Sequence, residues 1–301
     1  MAQPATQKEL NTMLDSSAAE FQVALLDLVR LRIQGKDTRQ AVDKLAKLSA
    51  DTFALADMMG RARMLAEADR LRSRNTLTNR LLTAAGAPLV PGFTHEEALE
   101  NLITREERLA GATMEEVAEA YTRHGFGLAR ATDTVVTEKV QTILANIMDG
   151  DQSRQLGKSA IERLAFEEAQ DWTSAYAETV YRTNMNSAYT AGRIQQTRDE
   201  DVAKVIGGLE FVAVMDRDAR ENHRAADGLI ASQFDPIWND FAPPLGYNCR
   251  CSIRMVDRRE LEQKGLVEGS TVTRLYPPNF SQAHPDEGFG GRTPANMIYV
   301  G

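Results

Sequence analysis

The sequence predicts a mainly α protein with a small C-terminal α+β module: long N-terminal helices followed by a turn-rich mixed domain. Three observations predict it. Apolar residues recur at helical spacing through the first two thirds of the chain. Hydroxyl or carboxylate residues stand three positions ahead of a glutamate at Thr94/Glu97, Thr113/Glu116 and Asp257/Glu260, the pattern that satisfies the orphan amides of a helix start. Near Gly207-Gly208 the helical spacing stops and short Phe/Val-rich runs separated by turn signals replace it.

In chain order, Leu10, Leu14, Phe21, Leu25 and Leu28 lie at spacings of three, four or seven and form one stripe of a helix. Helical signals continue through Val42, Leu45, Leu48, Phe53 and Leu55, then from Met64 to Leu82, until Gly86-Ala87-Pro88 and Pro91-Gly92 break them. After Gly125-Phe126-Gly127 the spacing predicts a further helix over about 128–148, ended by Gly150-Asp151. A long helix is expected from Ser159 to about Arg198, with Trp172, Tyr176, Val180 and Tyr189 among its candidate buried positions. One strand is expected over Leu209–Met215 and another over Cys249–Val256, with turns at Asp227-Gly228, Asp235-Pro236 and Pro243-Pro244 between them. Asp257 and Glu260 open a short helix that Gly265 ends, and the tail from Gly269, rich in Pro and Gly, is expected to be extended and held by contacts with other segments. The boundaries so drawn are a helical region 1–125, a second helical part 126–206, a turn-rich α+β module 207–268 and an extended tail 269–301. There is no repeat of 20 to 50 residues, which argues against a solenoid.

Composition narrows the function. The 301 residues include 35 Lys+Arg and 43 Asp+Glu, a formal net charge of −8, with 43% hydrophobic and 26% charged residues. That is ordinary globular composition, so wholesale disorder and collagen are excluded. The acidic balance argues against a protein that coats nucleic acid over its whole surface, while leaving room for a local basic face. No run of 18 apolar residues occurs, and Met1-Ala2-Gln3-Pro4-Ala5 lacks a secretory layout, so the expectation is a chain that stays where it is made, without a membrane. The two cysteines, Cys249 and Cys251, are too near in sequence for ordinary disulfide geometry, and a reducing compartment is expected.

Chemistry-bearing residues gather in one place. Asp216 to His223, then Asp227-Gly228 and Cys249-Arg250-Cys251, bring His, Cys and carboxylates within 36 residues. On a strand, residues i and i+2 share a face, so Cys249 and Cys251 could present two thiolates, with His223 as third zinc ligand and Asp216 or Asp227 as fourth. The competing reading is two partly buried thiols and a hydrogen-bonded histidine, with no cofactor. Cys249, His223 and Asp227 also make a nucleophile–base–acid trio on paper, but no nucleophile elbow, phosphate loop or His-Glu-x-x-His motif accompanies them. Arg61, Arg63, Arg70, Arg72, Arg74 and Arg80 stand against only Glu67 and Asp69, which makes this stretch the candidate for DNA contact; the alternative is a solvated face of paired arginines.

The order of motifs resembles a known family. Arg182-Thr183-Asn184, Ala188-Tyr189 and Gly192-Arg193 on one helix precede Asp216 to His223 and Asp227-Gly228. Phe234-Asp235-Pro236-Ile237-Trp238 and Pro243-Pro244-Leu245-Gly246-Tyr247-Asn248-Cys249-Arg250-Cys251 follow, with a late Gly288-Phe289. This pattern, from about Gly127 to Phe289, is similar to the Mu F-like minor head proteins of the phage head morphogenesis family. The resemblance implies a virion component of a tailed phage or prophage. It would be made in the host cytoplasm and placed near the portal, with the portal protein, the major capsid or scaffolding protein and packaged double-stranded DNA as partners. It also implies that Arg182, Asn184, Tyr189, Arg193, Asp216, Arg220, His223, Asp227, Gly228, Trp238, Pro243, Pro244, Cys249, Arg250 and Cys251 are structural rather than catalytic. Some family members have cysteine where this chain has Arg220 and His223. Arginine at the first favours a bridge from Arg220 to Asp216 or Asp227 over a four-ligand zinc site. The alternatives are a metal-dependent nuclease or toxin-like transferase, and a DNA-binding scaffold component using Arg61 to Arg80.

Overall fold

The computed structural model describes residues 7–74, 114–149, 158–269 and 271–291. Its described residues before 205 are mainly helical, and a few short antiparallel strands follow after residue 205, as the sequence predicts. Four long helices come first: α1 Gln7–Ile33, α2 Arg39–Arg74, α3 Met114–Asp149 and α4 Lys158–Gln196. The described residues fall into two compact units. One takes 11–54, 118–149 and 158–184; the other takes 7–10, 55–74, 114–117, 185–269 and 271–291.

The first unit is purely helical. Phe21, Leu25 and Leu28 from the predicted stripe of α1 are fully buried, together with Phe53, Tyr121, Val136 and Tyr181. The Tyr181 ring lies between Phe21 and Phe53, at centroid distances of 5.0 and 5.4 Å. Burying each such side chain contributes roughly 1.5–3 kcal/mol. Burial also pushes the Tyr181 phenol well above its ordinary pKa. At the edge of the unit Arg32 forks onto Asp133 with three hydrogen bonds of 2.6 to 3.0 Å. The expected break at Gly125-Phe126-Gly127 does not occur, because α3 runs through it. Gly125 is there for close approach: a Cβ would fall 2.6 Å from the Ala46 carbonyl oxygen.

In the second unit the C-terminal halves of α2 and α4 pack backbone to backbone. A Cβ on Gly60 would stand 2.1 Å from Tyr189 O, and one on Gly192 would stand 1.9 Å from Asp57 O, so a glycine on each helix makes room for the other. A short helix, α5 (Glu200–Ala203), leads into the α+β module. Its three-stranded antiparallel sheet has order β2-β1-β3, with β1 Ile206–Val212 central, β2 Ile230–Ala231 and β3 Ser252–Asp257. Leu209 faces Met255 and Ala231, and a bulge interrupts the β1–β3 register between Ile206 and Gly208. Two one-turn helices, α6 (Glu221–Arg224) and α7 (Trp238–Phe241), sit in the connections.

The third helix of the module, α8 (Arg258–Gln263), starts where the Asp257/Glu260 pair predicts. Asp257 accepts from the Glu260 amide at 2.7 Å, and the Glu260 carboxylate accepts from Arg254 at 2.8 Å. Leu261 of α8 packs with Ile230, Val256 and Leu266 into a small core. A second sheet pairs β4 (Val267–Glu268) with β5 (Thr271–Val272). The tail is not simply extended. It adds β5 and a 3-10 turn at Phe280–Gln282, and it is stitched down by reciprocal backbone bonds between Leu275 and Ile230.

The first strand begins three residues earlier than expected, at Ile206. The second begins three residues later, at Ser252, which leaves Cys249 and Cys251 in the loop ahead of β3. The Thr94/Glu97 box, Thr113 and Arg80 lie outside the described residues.

Candidate functional site

The cysteines and His223 converge although no strand presents them. His223 belongs to the one-turn helix α6 and is 3% exposed. Its Nδ1 lies 3.7 Å from Cys249 Sγ and 3.9 Å from Cys251 Sγ. Both thiols are buried and outside any disulfide. Two things place Cys249: its amide donates to Gly246 O, and its carbonyl accepts from Asn186 of α4 at 2.8 Å. The two sulfurs ionise unequally. Hydrogen bonding from Cys251 and then His223 draws Cys249 well below the ordinary thiol value despite its burial, and the neighbouring Cys249 pushes Cys251 up.

The other face of the imidazole meets a residue that sequence reading missed. Asp286 Oδ1 is 3.6 Å from His223 Nε2 and accepts from Asn222 Nδ2 at 3.0 Å, while Asp286 Oδ2 is 3.4 Å from Arg220 Nε. Asp286 N donates to Leu245 O at 2.8 Å, and Asn222 also donates to His284 O. A Cβ at Gly246 would stand 2.0 Å from Asp286 Oδ2, so glycine there lets the carboxylate in. Asp286 is separated from His223 by 63 residues, and its only local signal is a proline-glycine turn.

The carboxylates expected near the cysteines are engaged elsewhere. Asp216 takes two bonds from Arg250, at 2.6 and 2.8 Å, and these hold its carboxyl below the ordinary value. Its carbonyl accepts from Arg224. Asp227 accepts from the Ala213 amide at 2.7 Å. Neither joins the donor group of His223, Cys249 and Cys251. The Arg220 bridge therefore goes to Asp286 and the Tyr247 carbonyl, not to Asp216 or Asp227. The trio of Cys249, His223 and Asp227 is not assembled either, since the carboxylate facing His223 is that of Asp286.

The remaining motif residues brace loops and helices. Gly228 donates to Phe211 O, Trp238 Nε1 donates to Ser232 O at 2.9 Å, and the Pro243-Pro244 bond is cis. Tyr189 and Arg193 lie on α4 in the same unit. Arg193 bonds Tyr189 OH at 3.2 Å and both Glu67 oxygens at 3.1 and 3.2 Å. Burial opposes its charge, but Glu67 and Tyr189 outweigh that and hold the guanidinium above its ordinary pKa. Arg182 and Asn184 serve the helical unit, through Glu178 at 3.0 Å and through His124 at 3.0 Å.

The arginine stretch is not a uniform basic face. Arg61 is 1% exposed and donates to the equally buried Asp57 at 2.6 Å, which removes it from any phosphate-contacting surface. Arg63 is half-buried and paired with Glu67, and Arg70 is exposed. The side chains of Arg72 and Arg74, and all of Arg80, lie outside the described residues. No described helix is long and apolar enough to cross a membrane.

Residues 109–254 match the family described as "Phage Mu protein F like protein". That span starts before Gly127 and ends inside β3, short of Gly288-Phe289. Over 88 residues the chain is 33% identical to "Putative capsid assembly protein F" of Escherichia phage Mu, covering 29% of this chain and 20% of the relative. Over 94 residues it is 34% identical to "Mu-like prophage FluMu F protein" of Haemophilus influenzae (strain ATCC 51907 / DSM 11121 / KW20 / Rd), covering 31% and 22%. The matched stretch thus spans about a fifth of the length of these curated relatives. No solved structure matches the chain.

Proposed function

We propose that this chain, which is Mu F-like through residues 109–254, works in phage head assembly as a minor structural protein. It sits near the portal on the capsid interior and supports DNA packaging or delivery. One observation carries the reading: a third of the residues aligned with a relative named for capsid assembly are shared, and the family match over residues 109–254 takes in the loops that hold His223, Cys249 and Cys251.

The geometry supports architecture over chemistry. Asp216, Arg220, Asp227, Arg250 and Asp286 bind other parts of the same module, so their hydrogen bonds tie loops together. Helices of 27, 36, 36 and 39 residues supply long surfaces. A helix face laid into a partner's groove is a general way for such surfaces to dock. In this reading the leading helices grip the portal or the capsid and the C-terminal module is the folded clamp behind them.

Cross-linking mass spectrometry on the full chain co-expressed with its portal tests this division. Exposed Lys44, Lys47 and Lys139 mark the helices, while Lys204 and Lys264 mark the module. Cross-links to the portal from the first set are expected. Cross-links from the module alone, or none with a portal that assembles normally, would contradict it.

A further inference from the structure

We propose that His223, Cys249 and Cys251 bind one zinc ion, through the imidazole Nδ1 and two thiolates, with Asp286 orienting the ring from its other nitrogen. The first ground is convergence. Both sulfurs aim at one ring nitrogen, at 3.7 and 3.9 Å, and all three donor atoms lie within 4.8 Å of one another. A neutral imidazole nitrogen has one lone pair and can accept one S–H, so hydrogen bonds to Nδ1 alone do not use both sulfurs that stand around it. A cation at the centre gives all three donors a purpose. Bonds of about 2.3 Å to sulfur and about 2.0 Å to nitrogen at a tetrahedral angle put S and N roughly 3.5 Å apart, close to the distances found.

The second ground is independent of the sulfurs. His223 Nε2 is buried without a hydrogen-bond partner among the described residues, and the group nearest to pairing with it is the Asp286 carboxylate, 3.6 Å away. If Nδ1 faces a metal, the proton must sit on Nε2, and a carboxylate there is the usual second partner of a ligating histidine. Asp286 is itself fixed by Asn222, Arg220 and the Leu245 carbonyl. Thiolate with imidazole selects zinc over magnesium or calcium. Among the described residues no fourth His, Cys, Asp or Glu joins the group, so a water takes the fourth position. Both sulfurs bind as thiolates, any thiol proton still present passes to solvent, and the Cys2His–zinc centre is neutral. The ion would pin α6, the loop ahead of β3 and, through Asp286, the tail.

The full chain, purified reduced and without chelator, is assayed for zinc by elemental analysis and then titrated with Co²⁺ after metal removal. About one zinc per chain is expected, with tetrahedral cobalt bands and charge-transfer absorption from two thiolates. Cys251→Ser should remove about half of that charge-transfer intensity. Asp286→Asn keeps every ligand, so its bands should persist while affinity falls roughly 10- to 100-fold. Chain that is folded by circular dichroism but holds no zinc, and gives no thiolate–cobalt band, overturns the proposal. Unchanged affinity in Asp286→Asn overturns the role given to Asp286. If the serine variant fails to fold, the titration of the unaltered chain still decides.

Discussion

The helical unit and the unit carrying the C-terminal module are held together in different currencies. Around Tyr181 the packing is mainly ring on ring and asks chiefly shape of its neighbours, with one long bond from the hydroxyl to the Leu48 carbonyl at 3.5 Å. Around Arg193 and Asp286 the contacts are polar, directional and specific to one partner. Apolar packing tolerates similar side chains, whereas a half-satisfied polar network is worse than none.

Each of four changes probes that contrast, and the largest effect belongs to the helical unit. Phe53→Ala removes a fully buried ring that packs on Tyr181, and denaturant titration should show a loss of about 3–5 kcal/mol. A loss near zero would mean that shape does not hold this unit. In the other unit Glu67→Gln keeps volume but strips Arg193 of its countercharge. The expected loss is about 2–3 kcal/mol, short of the cost of a fully orphaned buried charge because Glu67 is 18% exposed. Equal tolerance of this change and of a surface substitution would erase the distinction between the units.

Trp238→Phe keeps most of the ring but drops the bond to Ser232 O, for about 1 kcal/mol measured the same way. The smallest effect is a pH dependence. Arg39, by its side-chain hydrogen bonds, lowers the Asp37 carboxyl from 3.8 to about 2. A lowered folded-state pKa stabilises above the unfolded value, so this contribution is complete above about pH 4 and disappears as pH falls through about 2. Titration of Asp37 by NMR checks it, and Arg39→Ala should return the midpoint toward 3.8.

What sequence could reveal follows the same divide. The α1 stripe of Phe21, Leu25 and Leu28 was legible because helical burial repeats with the chain's own period. The turn-rich module, its two main strands and the Asp257 cap were legible from local residue chemistry. Gly125 and Gly192 misled or stayed silent for one reason: their role is set by a backbone distant in sequence, which no local pattern encodes. Asp286 was invisible on the same ground. The placement of Cys249 and Cys251 on a strand failed because alternation continues into the loop before β3, although the convergence it was meant to explain with His223 is present. Arg61 looked like surface charge until its i−4 neighbour Asp57 proved equally buried.

The most direct test of the assembly role is quantitative mass spectrometry of purified precursor heads and mature particles from the phage or induced prophage that encodes the chain. A few copies per particle, far below the major capsid protein, is the expected result. Absence of the chain from both precursor and mature heads would contradict it.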